Sequence, residues 1–255
     1  MKKIIHHIDM STSDKTIENR IKEVWGKYMA YHIYNVPKID IEKNYEELAE
    51  YLGKIRLCNT VNDKSRKAKY SKSRDIKPNP DLYHYFTSTT RQPLHTDYSY
   101  YKQNEAPEWL LLYCMCPSEF GGKTHLLSTQ TLNTILEKHN PKLLKKIKTD
   151  IKWEYLGDDG DKIHTKPLYD GVHINWNYWQ IKSKFNSKEV MGIRQEFFEF
   201  LEHKIVEGGI YDFSKTWNTG DCIIFNDRLM LHGRDAFLGD NRWLKDYAFF
   251  PKNNL

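Results

Sequence analysis

The sequence predicts an α+β chain with a mostly β core, a jelly-roll-like (cupin-like) double sheet with flanking helices. Three observations carry that expectation. Residues 109–116, Trp-Leu-Leu-Leu-Tyr-Cys-Met-Cys, are a continuous apolar run of strand length, as expected of a strand covered on both faces. The C-terminal part breaks into short β segments at 222–226, 229–232 and 243–250, separated by turn residues. Helical periodicity is confined to a few segments that fit the outside of such a core.

Taken in order, residues 14–28 read as a helix with Ile17, Ile21, Val24, Trp25 and Tyr28 on one face, and 31–36 as a strand stopped by Pro37. Residues 41–52 are a second amphipathic helix, with Gly53 as its C-cap. In 62–82, Lys64, Arg66, Lys67, Lys69, Lys72, Arg74 and Lys77 crowd a stretch with few apolar residues. It reads as a long, mobile, lid-like loop, either a solvated basic surface or a cover over a site that receives an anion. Gly121-Gly122 is a tight turn, 124–127 a strand, and 129–138 and 141–148 are helical. Strands at 150–156 and 172–176 flank a turn at 157–161, and 187–205 form the longest helix. No composition break divides the chain, so residues 1–255 are expected to form a single domain.

Composition narrows the function. Mean hydropathy is −0.75 and no apolar run reaches spanning length, so no membrane helix is expected. The N-terminus lacks a long apolar core, which argues against secretion. Four cysteines without a C-x-x-C pair fit a reducing cytoplasm. The net charge of +5 does not by itself call for nucleic acid, so a small-molecule substrate is expected. Arginine is scarce, 9 residues against 30 lysines, yet Arg228, Arg234 and Arg242 fall within one 15-residue stretch. Arginine is the side chain built for two-point carboxylate recognition.

The chemistry concentrates at His95-Thr96-Asp97. On a strand, residues i and i+2 share a face, so an imidazole and a carboxylate can converge on one ion. Alone, the pair reads as a hydrogen-bonded His–Asp couple, and His7-Ile8-Asp9 repeats the pattern on what reads as a surface strand. The segment from Gly220-Asp221 changes this. A Gly-Asp turn leads into an apolar strand, and a second strand ends at His232, with Arg242 ten residues on. Two imidazoles and one carboxylate make the facial triad of a non-haem Fe(II) oxygenase, which leaves positions open for a chelating co-substrate and O2. His125 alternates to the opposite face from Thr124 and is not counted as a ligand.

Leu94-His-Thr-Asp97, Gly121-Gly-Lys-Thr124, and Gly220-Asp221 through His232-Gly-Arg234 to Arg242 occur in one order and spacing over about 84–250. In these segments the chain resembles the taurine dioxygenase/clavaminate synthase-like group of Fe(II)- and 2-oxoglutarate-dependent oxygenases. The resemblance implies a double-stranded β-helix. It also implies that His95, Asp97 and His232 bind Fe(II), that Thr124 and Arg242 bind 2-oxoglutarate, and that O2 oxidises an unactivated C–H bond of a small metabolite. Hydroxylation is the expected outcome, with desaturation or cyclisation as alternatives. Related halogenases lack the carboxylate, so Asp97 argues against halogenation.

Two departures stand out. The group's usual Asp-Asn before an arginine is here Asn226-Asp227. Asp246 stands where many members carry a second, anion-gripping arginine; either it meets a cation on the substrate, as an amino acid or an amine-bearing intermediate would carry, or it is a structural acid paired with Lys245 or Arg234. Tyr98 and Arg91, flanking the metal motif, are further substrate candidates. A non-catalytic metal-binding scaffold would not need the Arg242 clamp, nor would a zinc hydrolase. An oxygenase acting on nucleic acid or protein would use the basic 62–77 stretch.

Overall fold

The computed structural model describes residues 3–11, 15–59, 70–81, 85–102, 104–149, 151–156 and 163–252. Two sheets share the core. The larger is built from β1 (Lys3–Asp9), β2 (Tyr28–Tyr34), β3 (Gly53–Ile55) and β4 (Arg74–Ile76), with β6 (Trp109–Cys116), β9 (Cys222–Asn226) and β11 (Trp243–Pro251). Its order is β1-β2-β9-β6-β11-β3, with β4 also pairing β11. Every pairing is antiparallel except β1 with β2. The smaller sheet contains β5 (Gln92–His95), β7 (Thr124–Ser128), β8 (Phe213–Lys215) and β10 (Met230–Arg234), in the order β8-β7-β10-β5.

Strand alternation sorts the side chains into layers. Leu110, Ile223, Phe225, Leu244 and Ala248 of the larger sheet meet Leu126, Phe213 and Met230 of the smaller one in a shared core. The other face of the larger sheet presents Leu111, Tyr113, Ile224, Tyr247 and Phe249 to helices α1 (Ile17–Val24) and α2 (Ile41–Leu52). The other face of the smaller sheet presents Leu94, Leu127 and Leu231 to α3 (Thr129–His139), α4 (Pro141–Ile147) and α5 (Lys188–Phe200). Both faces of β6 are therefore covered, which is why its sequence runs apolar without a break. The chain is α+β with mostly sheet content.

Four expectations are corrected. The first helix is shorter, capped by Thr16, and Tyr28 opens β2; Gly26 at φ 78° turns the chain between them. Gly53 caps α2 as expected, its N–H donating to the Ala49 carbonyl oxygen, but not in a left-handed conformation. It is extended and opens β3, and a Cβ there would meet the Phe250 carbonyl oxygen at 2.2 Å. Residues 172–176 make only an isolated bridge, Tyr169 with Ile174, and the partner of Trp153–Leu156 is Ile163–Lys166. The 62–82 stretch is not one solvated loop: Tyr70–Ser71 pairs with Cys58–Asn59 and β4 joins the larger sheet. Lys72 bridges Glu46 and Glu50 at 2.7 and 2.6 Å, Lys77 lies 3.5 Å over the Trp243 ring, and Arg74 turns inward. Lys64, Arg66, Lys67 and Lys69 lie outside the described residues, as does the turn predicted at 157–161. No helix among the described residues is long and apolar enough to cross a membrane.

One buried cluster makes the fold acid-sensitive. His32 on β2 contacts His7 Nδ1 at 3.0 Å, while Lys215 Nζ donates to its Nε2 at 3.1 Å and also pairs with Asp221 at 3.2 Å. Burial and the neighbouring cations, Lys215 above all, push the His32 pKa down to about 3. An unfolded histidine takes up a proton near pH 6.5, so stability is full above that pH and falls as pH drops from 6.5 towards 3. About 2 kcal/mol is lost between pH 7 and pH 5, at about 1.4 kcal/mol per unit. Urea melts at the two pH values check this: His32→Asn is expected to flatten the difference.

Candidate active site

The two sheets enclose a cavity lined by Arg74, Gln92, Asp97, Thr124, His232, Arg234, Arg242 and Asp246, with apolar walls from Ile76, Phe86, Leu110, Leu112, Phe225 and Leu244. The polar members arrive by strand register. His95 on β5 stands directly opposite His232 on β10, Leu126 on β7 stands opposite His232 on the other side, and Thr124 stands opposite Arg234. Gly233 permits this close pairing, because a Cβ there would meet the Gln92 carbonyl oxygen at 2.9 Å.

His95, Asp97 and His232 form the group of three metal-ligating side chains found among the described residues, with one ligand atom from each within 4.8 Å of the others. The imidazole centroids are 4.2 Å apart. His95 Nδ1 donates to the Pro93 carbonyl oxygen at 2.8 Å, which leaves the Nε2 lone pair facing the site. That nitrogen lies 3.1 Å from Asp97 Oδ1, and His232 Nε2 lies 3.5 Å from the same oxygen. Lone pairs this close require a cation between them, either a proton or a metal ion. Two imidazoles and one carboxylate in a partly enclosed cavity suit ferrous iron. The donor set therefore fits the metal that the sequence motifs imply.

Electrostatics follow from the surroundings. Burial works against charge on Asp97, but His232, His95 and Arg74 hold its carboxyl well below the usual range. Burial likewise opposes charge on His232, yet Asp227 and Asp97 outweigh it and push its pKa up to about 9. Asp227 is the site's hidden support. It accepts from the backbone N–H groups of Asp97 and Tyr98 at 3.0–3.2 Å and lies 3.5 Å from His232 Nδ1. Sequence reasoning noted the inverted Asn226-Asp227 order without seeing that role, whose signal was a carboxylate one short turn before the distal histidine strand.

Arg242 is 3 % exposed and has no carboxylate partner among the described residues; it rests 4.9 Å from the Phe237 ring. Burial, with the like charge of Arg234, pulls its pKa down to about 9. Such a guanidinium is poised for an anion from outside the chain. Thr124 opens into the same cavity, and its hydroxyl oxygen accepts from the Trp217 indole N–H at 2.7 Å, so its own proton is left to donate. Trp217, itself buried in the shared core, thus orients Thr124. His125 is turned away, stacked on Tyr211 and 2.9 Å from Asp235, as alternation predicts.

The substrate candidates fare differently. Asp246 lines the cavity but already has a cation of its own chain: Arg74, opposite it on β4, grips both carboxylate oxygens. Lys245 pairs instead with Glu42, and Arg234 donates to the Ser88 and Thr90 carbonyl oxygens. Arg91 points to Glu202. Tyr98 is buried under Arg56 and lines a neighbouring cavity with Ser99, Lys166 and Asp227. Neither residue lines the cavity that holds Asp97 and His232.

The family model described as taurine catabolism dioxygenase TauD, TfdA family matches residues 5–247. No curated protein matches the sequence. Solved structures match the fold at low identity. PvcB from Pseudomonas aeruginosa has a TM-score of 0.65 at 13 % identity, covering 98 % of this chain and 87 % of its own. Non-heme iron oxygenase OrfP in complex with Fe and alpha-ketoglutaric acid has a TM-score of 0.64 at 13 % identity, covering 92 % and 78 %. Asparagine oxygenase in complex with Fe(II), 2S,3S-3-hydroxyasparagine and succinate has a TM-score of 0.63 at 11 % identity, covering 91 % and 77 %.

Proposed function

The chain belongs to the taurine catabolism dioxygenase TauD, TfdA family, and from that membership we propose that it is an Fe(II)- and 2-oxoglutarate-dependent dioxygenase that hydroxylates a C–H bond of an amino acid or an amine-bearing intermediate, on a double-stranded β-helix scaffold. The observation that carries the reading is that one cavity is lined by Asp97, His232 and the buried Arg242, with His95 grouped with the first two and no carboxylate on Arg242 among the described residues.

His95, His232 and Asp97 would hold the iron, their Nε2 atoms and Oδ1 already lying together. Bound together, iron, 2-oxoglutarate and O2 supply the oxidant for an unactivated C–H bond, with succinate and CO2 as the other products. The chain's own part is positioning. Arg242 grips the distal carboxylate of the keto diacid with paired charge-assisted hydrogen bonds. Thr124, oriented by Trp217, donates its hydroxyl proton to a carboxylate of the co-substrate. Asp227 fixes the backbone of Asp97 and steadies His232. Leu110, Leu112, Phe225 and Leu244 keep water from the reacting carbon.

The substrate class draws its support from two structural relatives, one bound to 3-hydroxyasparagine and another, OrfP, bound to (3S)-hydroxy-L-Arg. The test is direct. Anaerobic Fe(II) and 2-oxoglutarate are expected to give the visible charge-transfer band of the chelate. Admission of O2 then releases succinate, and a panel of amino acids and amines accelerates that release for the true substrate. A product heavier by one oxygen marks hydroxylation; one lighter by a hydrogen pair marks desaturation or ring closure. No band in the loaded protein would sink the proposal.

A further inference from the structure

The two oxygens of Asp97 have different neighbours. Oδ1 faces His95 Nε2 at 3.1 Å and His232 Nε2 at 3.5 Å. Oδ2 accepts from Arg74 Nη2 at 3.0 Å. The same guanidinium donates through Nε to Asp246 at 3.1–3.3 Å and through Nη2 to Asp246 Oδ2. Arg74 and Asp246 are cross-strand partners on β4 and β11, so the sheet fixes their approach, and Phe86 packs on the guanidinium with its ring centre 5.0 Å away.

Resting on the function proposed above, we infer that Arg74, anchored by Asp246, is a positioning residue that presents Asp97 to the metal through a single oxygen. A carboxylate can bind an ion through one oxygen or two. Nη2 of Arg74 occupies Oδ2, so Oδ1 alone is offered towards the imidazoles. The restriction matters because the co-substrate chelates and needs two neighbouring positions on the ion. An Asp97 free to swing would fill one of them with Oδ2. Asp246 takes no part at the metal; it supplies the opposite charge that keeps a buried guanidinium in place. This gives the acidic residue at 246 a purpose other than meeting a substrate cation.

The test removes the pair together, because a lone buried Asp246 would threaten folding by itself. Arg74→Met combined with Asp246→Leu takes out both charges and keeps the side-chain bulk. Parent and double variant are loaded with Co(II), whose visible absorption intensity reports coordination number, and then titrated with 2-oxoglutarate. The variant is expected to fold and bind Co(II), to show a changed Co(II) spectrum before co-substrate is added, and to bind 2-oxoglutarate about 10–100-fold more weakly, the usual consequence of losing a partner behind a metal ligand. Arg74→Lys keeps the charge but lacks the planar fork that meets Asp246 through Nε and Asp97 through Nη2 at once, so it shifts the spectrum the same way. That variant carries the comparison if the double one fails to fold. A folded variant whose Co(II) spectrum and 2-oxoglutarate affinity both match the parent overturns the inference, as does a weaker affinity with an unchanged spectrum. A parent protein that binds neither Co(II) nor 2-oxoglutarate overturns the proposed function instead.

Discussion

Arg242→Gln binds 2-oxoglutarate about a hundred- to a thousandfold more weakly than the parent, while its metal affinity is unchanged. The expectation rests on geometry. Arg242 is buried in the cavity that Asp97 and His232 line, with no carboxylate among the described residues to neutralise it. Two charge-assisted hydrogen bonds at roughly 1.5–3 kcal/mol each give about 3–6 kcal/mol in all, roughly two to four orders of magnitude in affinity, and the hydrogen bonding that the glutamine amide keeps holds the loss to the lower part of that range. Glutamine keeps polarity and much of the volume but has no charge and no fork. Arg242→Lys is expected to recover little, because an ammonium cannot reproduce the two-point contact. Titrating the metal-loaded proteins and following the charge-transfer band checks the claim. A 2-oxo acid lacking the distal carboxylate serves as the control: parent and variant should bind it equally poorly.

Loss of a metal ligand has the other large effect. Asp97→Ala is expected to lower Fe(II) affinity by roughly 10²–10³-fold, taking about a quarter of the 10–16 kcal/mol typical of four-ligand sites, and to remove succinate release. A thermal shift separates this from misfolding. In the parent, metal at a hundred times its Kd adds about 2.7 kcal/mol of stability. In Asp97→Ala the same metal concentration adds no more than about 0.4 kcal/mol, so the midpoint stays close to its metal-free value. A variant that melts cooperatively yet keeps the full metal-dependent rise would show that the ion does not need Asp97.

How much was legible in the sequence depended on whether the signal was local. The facial triad could be read because His95-x-Asp97 shares a strand face and His232 follows a strand of recognisable pattern. The buried run 109–116 and the helix at 41–52 could be read because unbroken apolarity and 3.6-residue periodicity are direct imprints of burial. Arg74 could not be. It lies in a basic stretch, and nothing nearby distinguishes Arg74, which turns inward, from Lys72, which stays on the surface with Glu46 and Glu50. Its partners Asp97 and Asp246 are 23 and 172 residues away, and only the β4–β11 pairing brings them together. Asp246 was singled out correctly as unusual, but its charge was assigned to a substrate, or to Lys245 or Arg234, because that internal partner was invisible. Asp227 was hidden in the same way, since its task is to accept from backbone 129–130 residues away.

His95 and His232 occupy the same rung of the smaller sheet, on its edge strand and the strand next to it. Displacing that edge strand by one residue would swing His95 out to the helical layer and bring Leu94 or Thr96 in. Iron uptake is therefore a proofreading signal for assembly. Molecules that close the sheet one residue out of alignment cannot capture the ion, so the stoichiometry of bound iron counts the fraction of a preparation that has folded true.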